Sequence, residues 1–204
     1  MNIIQLGRNA LLHPLDFFYD IQFKGNSKVI GAIIIILLAV AVRVLSLMAT
    51  GFSFQTKEPY QISVLMQAVW IIVPWLLWSI SNWGVSTIID GEGKFIDVLS
   101  GSAFVFVPYV CFMLPVAVVS NFMTLSESLI IGGATWFIYL WVAFLVLTKT
   151  KIIHDFELSK TIWITILTII GMFVIMFIGL LIFGLVNQAI SFIIDLYKEM
   201  SFRL

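Results

Sequence analysis

The sequence predicts an all-α protein, a polytopic membrane helical bundle of five transmembrane helices with short interfacial helices at both ends. Five long apolar blocks carry that expectation: Val29–Thr50, Ile62–Ile89, Val98–Ser120, Leu129–Thr148 and Thr161–Gln188. A helix rising about 1.5 Å per residue needs roughly 20 apolar residues to cross a hydrocarbon core about 30 Å thick, and each block supplies them. Arg43 is the single charge inside any block. Composition agrees, with 61% hydrophobic and 11% charged residues over 204 positions and a mean hydropathy of +1.11. Soluble domains carry about 25% charged residues. Lipid gives the backbone no hydrogen-bonding partner, so each crossing must be helical, and the alternation of a membrane β-barrel is absent.

Three segments follow: 1–28 as a cytoplasmic or interfacial amphipathic segment, 29–188 as the five-span domain, and 189–204 as an amphipathic tail. The chain outside the spans is too short for a second folded domain. In the first segment Leu11, Leu12, Leu15, Phe17, Phe18, Ile21 and Phe23 are too apolar for a free tail, while Pro14, Asp16 and Asp20 forbid burial in lipid. That pattern predicts short helices lying on the membrane surface. A compact apolar region followed by a small-residue cleavage site is missing, so the first span is expected to act as the insertion signal.

In the first span, Arg43 stands about two turns from the outer end. It either snorkels or makes a structural hydrogen bond, or it serves a conduction or coupling path. The second span, 28 residues or roughly 42 Å of helix, must tilt, kink or project, and Pro74 offers a bend. Ser79, Asn82 and Ser86 share one face of it, read as interhelical glue or as the lining of a solute path. In the third span Pro108 and Pro115 lie seven residues apart on one face, as a permanent bend or a hinge. Gly132 and Gly133 in the fourth span predict close helix packing. The fifth span is again 28 residues, and the tail beyond it places Ile190, Ile193, Ile194 and Tyr197 at helical spacing. The tail is too short and too charged for a sixth crossing.

Charge sets the orientation. Arg8, Lys24, Lys28, Lys94, Lys149, Lys151 and Lys160 fall in segments on one side; Lys57, Lys198 and Arg203 fall on the other. Lys and Arg enrich cytoplasmic loops, so the amino terminus is expected inside and the carboxyl terminus outside a cell membrane.

Chemistry is mostly excluded. Lys+Arg and Asp+Glu both number 11, giving no basic excess for nucleic acid. Cys111 is the single cysteine, so no disulfide framework or thiolate cluster exists. His13 and His154 lack metal-ligand spacing, and no catalytic triad or phosphate loop is visible. No catalytic residue, metal or cofactor is expected, and no enzyme. The most distinctive loop is Asp90-Gly91-Glu92-Gly93-Lys94, where Asp90, Glu92, Lys94 and Asp97 crowd between two long helices. It is either a tight polar hairpin or a docking patch for a partner.

Several of these features together resemble the Yip1 family of small integral membrane proteins, and its bacterial branch in particular. They are His13-Pro14 with Phe17 and the basic Lys24–Lys28 approach to the first span, Asn82-Trp83, and the Asp90–Phe95 loop. Phe106-Val107-Pro108-Tyr109 and the stretch from Pro115 to Asn121 complete the pattern. The resemblance implies a five-span bundle with a cytosolic amino terminus. Eukaryotic members are associated with Rab GTPases and membrane trafficking or curvature, but their long cytosolic amino-terminal region has no counterpart here. Bacterial relatives often accompany carbohydrate ABC transporters, which implies an accessory role.

The leading expectation is therefore a non-enzymatic adaptor that contacts the lipid bilayer and other membrane proteins, either ABC transporter permease subunits or further copies of itself. A small channel or solute transporter is the alternative, and a membrane-shaping protein of the trafficking type is the third.

Overall fold

The computed structural model describes residues 3–23, 29–55 and 58–203. Lys24, Lys28 and Lys57, which contribute to the orientation argument, lie outside the described residues. Eight helices follow in order: α1 (Ile3–Leu12), α2 (Pro14–Phe23), α3 (Val29–Ala49), α4 (Val64–Ile88), α5 (Phe95–Phe104), α6 (Val107–Val119), α7 (Ser128–Ile153) and α8 (Leu158–Arg203). No strand occurs among the described residues. Five stretches are long and apolar enough to cross a membrane: Val29–Ala49, Val64–Ile88, Phe95–Phe122, Leu125–Ile153 and Leu158–Phe202.

The amino-terminal helices do more than lie on a surface. Pro14 opens α2, where its missing N–H is no loss and its fixed φ favours the helix. Leu6, Ala10, Phe17, Phe18 and Ile21 then form a buried cluster with Ile35, Val98, Phe104, Val107, Leu145 and Ile153. The Phe17 ring stands edge-on to Phe104 at 5.0 Å between centroids. The expected interfacial face is thus protein-covered, because α2 docks mainly on α7 and touches α5, while α1 touches α6. Leu12, Leu15, Tyr19 and Phe23 remain exposed on the outer side.

The third span is two helices rather than one bent rod. α5 ends at Phe104 and α6 begins at Val107, with Phe106 N–H bonded to Ala103 O at 3.1 Å in a tightened turn. Pro108 stands in the first turn of α6, where a proline removes no helical hydrogen bond. Its expected role as a mid-helix bend is therefore replaced by that of a helix start. Pro115 and Pro74 do lie inside their helices.

A second cluster, of Ala32, Ile36, Ala39 and Val42 with Ile71, Ala103, Tyr109 and Ile138, packs α3 against α4, α5, α6 and α7. At the end distal to α1, Asn121 Nδ2 donates to Ala49 O at 2.6 Å, satisfying a carbonyl left open at the terminus of α3. Gly51 N–H donates to Ser120 Oγ at 2.8 Å beside it.

Two glycine expectations change. A β-carbon added at Gly132 or Gly133 would meet nothing within 4 Å, so neither brings two helices together among the described residues. Helix approach depends instead on Gly171, whose missing side chain makes room for Ser81, and on Gly101 against Lys149 and Ile153. The tail also differs from the expected separate surface helix: α8 runs unbroken for 46 residues, roughly 69 Å at 1.5 Å per residue. Every residue from Met176 to Phe202 is exposed, so more than half of α8 stands largely uncovered.

Candidate functional site: a buried polar junction under a charged face

The polar stripe of α4 is fully buried, with Ser79, Asn82 and Ser86 each at 0% exposure. Helical spacing puts all three on one face of α4, and Asn82 on that face reaches α7 and α8. Ser79 Oγ donates back to Trp75 O at 2.7 Å and is spent within its own helix. Asn82 is the centre. Its Oδ1 accepts from Lys149 Nζ at 2.7 Å and lies 3.4 Å from His154 Nε2. Its Nδ2 donates to Thr168 Oγ1 at 3.3 Å, and Ser81 Oγ donates to Thr168 O at 2.7 Å. One asparagine thereby joins three helices and the turn after α7.

By sequence, Lys149 and His154 are expected in the cytoplasmic segment between the fourth and fifth spans. α7 continues to Ile153, so Lys149 is helical and 0% exposed, and His154 is 1% exposed. Burial pushes the His154 imidazole down to about 3, with the nearby Lys149 charge adding to the fall. A neutral imidazole with its proton on Nε2 donates to Asn82, and its Nδ1 then faces the Gly91–Gly93 backbone.

Two matched turns close the junction. After α4, Asp90 takes φ 58° and Gly91 N–H bonds back to Ser86 O at 2.8 Å. After α7, Asp155 takes φ 52° and Phe156 N–H bonds to Lys151 O at 2.9 Å, with Asp155 N–H on Ile152 O at 3.3 Å. Both have the six-to-one bond of a Schellman cap, with aspartate in the left-handed position usually given to glycine. The glycines have another role. A β-carbon on Gly91 would come within 2.9 Å of His154 and Phe156, and one on Gly93 within 2.8 Å of His154 and Ile153. They let the first turn lie directly on the second. His154 stacks on Phe156 at 5.4 Å, and Lys160 Nζ sits 4.4 Å from that ring while donating to Ile89 O at 2.9 Å.

The outward side of the two turns exposes Asp90, Glu92, Lys94, Lys151, Asp155, Glu157 and Lys160. Asp97, expected in the docking loop, is 6% exposed in the first turn of α5 and belongs to the interior. The second turn was absent from the sequence reading because residues 90–94 and 155–157 meet only through tertiary packing. Arg43 lies elsewhere, toward the end distal to the junction, and its Nε donates to Gln67 Oε1 at 3.3 Å.

A bundle of five apolar crossings bound by interior polar contacts is a multi-pass membrane protein. A family model described as the Yip1 domain matches residues 8–180, and the chain belongs to that family. No curated protein and no solved structure matches it significantly.

Proposed function

We propose that this chain is a non-enzymatic membrane adaptor. Its charged face, formed by the turns at Asp90–Lys94 and Asp155–Glu157, docks a partner, while the uncovered length of α8 packs laterally. One observation carries the proposal: a buried junction of Asn82, Lys149, His154 and Thr168 supports an exposed charged face from below. A flexible connection between spans would need neither two stacked caps nor buried ionisable groups. The partner class is the permease or another subunit of a carbohydrate ABC transporter, on family resemblance, and the positive-inside rule assigns the charged face to the cytoplasm. Asp90→Lys with Glu92→Lys should lower recovery of co-purifying membrane proteins after mild detergent extraction. Unchanged co-purification counts against docking.

A membrane-shaping role is the second reading, favoured by the outward Leu12, Leu15, Tyr19 and Phe23 of α1 and α2. These side chains would widen one leaflet as a shallow wedge. Reconstituted protein should then reduce vesicle diameter; unaltered vesicles remove this reading. The channel reading loses its main support, since Asn82 and Ser79 spend their polar groups on helix contacts instead of lining an open path.

A further inference from the structure

Distant from the charged face, a cavity of about 210 Å³ lies among α3, α4, α6 and α7, lined by Arg43, Trp70, Phe106, Tyr109 and Tyr139. A water occupies about 30 Å³ of liquid, so the space exceeds a single trapped solvent molecule. Its wall holds a cation and no carboxylate. The nearest acid by chain position within the same span, Asp97, is twelve residues before Tyr109 and in the preceding helix, α5.

The polar groups here descend in steps. Ser46 and Gln67 are 2% and 3% exposed, each three residues from the helix end at that side, at Ala49 and Val64. Arg43 and Trp70 each lie six residues from those ends, about 9 Å deep. Tyr109 is deeper still, 5% exposed, with its hydroxyl beside Arg43 and Ser46. An intramembrane guanidinium without a counter-anion is costly. Trp70 and Tyr139 are 67% and 42% exposed, so the aromatic wall borders the lipid. The site is therefore reached sideways from the bilayer.

We propose that this cavity binds the anionic headgroup of a membrane lipid, a phosphate or carboxylate paired with Arg43 and accepting a hydrogen bond from Tyr109, with Gln67 holding the guanidinium in place. The bound acid supplies the counter-anion that the cavity wall does not give Arg43, and its acyl chains lie along the exposed faces of Trp70 and Tyr139.

The test is native mass spectrometry of the full chain released from micelles, with phosphatidylglycerol and phosphatidylcholine of the same acyl chains at equal concentration. Phosphatidylglycerol should be retained at least several-fold more than phosphatidylcholine. Arg43→Gln should abolish that preference, Tyr109→Phe should halve the retained fraction or more, and Arg43→Lys should keep part of it. Arg43→Lys and Tyr109→Phe are conservative enough to report on binding should Arg43→Gln fail to fold. Equal retention of the two lipids, or a preference unaffected by Tyr109→Phe and Arg43→Lys, overturns the proposal. Displacement of phosphatidylglycerol by inorganic phosphate at equal concentration would show a soluble anion as the ligand and overturn the lipid assignment.

Discussion

Lys149 Nζ donates to Asn82 Oδ1 across 2.7 Å, joining the fourth span to the second with both side chains wholly buried. In a low-dielectric interior, removing one partner strands the other. Asn82→Leu leaves Lys149 without its acceptor and should destabilise the protein by about 3–5 kcal/mol, as for broken buried charge contacts. Lys149→Met removes the charge and fills similar volume, so its cost should be smaller, about 1–3 kcal/mol for the unsatisfied Asn82 oxygen. Thermal unfolding in mild detergent checks the order; equal losses would show that charge burial is not the governing term.

His154 makes stability depend on pH. Its folded value of about 3 lies below the ordinary 6.5, so the unfolded chain binds the extra proton between them. Stability from this group is fully present above about pH 6.5 and declines as pH falls toward 3. His154→Phe should flatten the pH dependence of the midpoint between pH 6.5 and 4.5 relative to the native chain. Parallel curves would contradict a buried neutral imidazole.

The left-handed aspartates predict a gain. Asp90 and Asp155 hold φ 58° and 52°, a conformation that glycine adopts without side-chain cost. Asp155→Gly should be neutral to stabilising by up to about 1 kcal/mol in unfolding assays. A clear loss would mean that the Asp155 carboxylate makes a contact worth more than the backbone strain.

The glycines separate close packing from open surface. Gly93→Ala should lower stability by about 1–3 kcal/mol, since the added carbon overpacks against His154 and Ile153. Gly132→Ala and Gly133→Ala should be neutral or slightly stabilising, because alanine is the better helix former and nothing obstructs it. Parallel melts of the three variants decide between the two patterns.

Much of the architecture was legible because lipid imposes a length on each crossing, and the five blocks show that length directly. Charge, by contrast, misled at Lys149. A lysine immediately after an apolar run reads as a loop residue, yet α7 carries it one further turn into contact with a residue 67 positions away. The stripe at Ser79, Asn82 and Ser86 announced that this face of α4 meets other helices; it could not name Lys149, His154 or Thr168, because helical periodicity encodes direction without the partner. Gly132-Gly133 meets no helix among the described residues for the converse reason. Small residues permit close approach, but only tertiary placement decides whether a helix takes it up. The stacking of the two caps is likewise tertiary.

The account's central claim is that five crossings set the Asp90–Lys94 turn and the Ser120–Ser128 turn on opposite faces of a membrane. Cysteines placed singly at Glu92 and Leu125 in a Cys111→Ala background, treated with a membrane-impermeant thiol reagent in sealed vesicles, measure this directly. One of the two should label from outside and the other only after permeabilisation. Labelling of both from the same face would contradict the five-span arrangement.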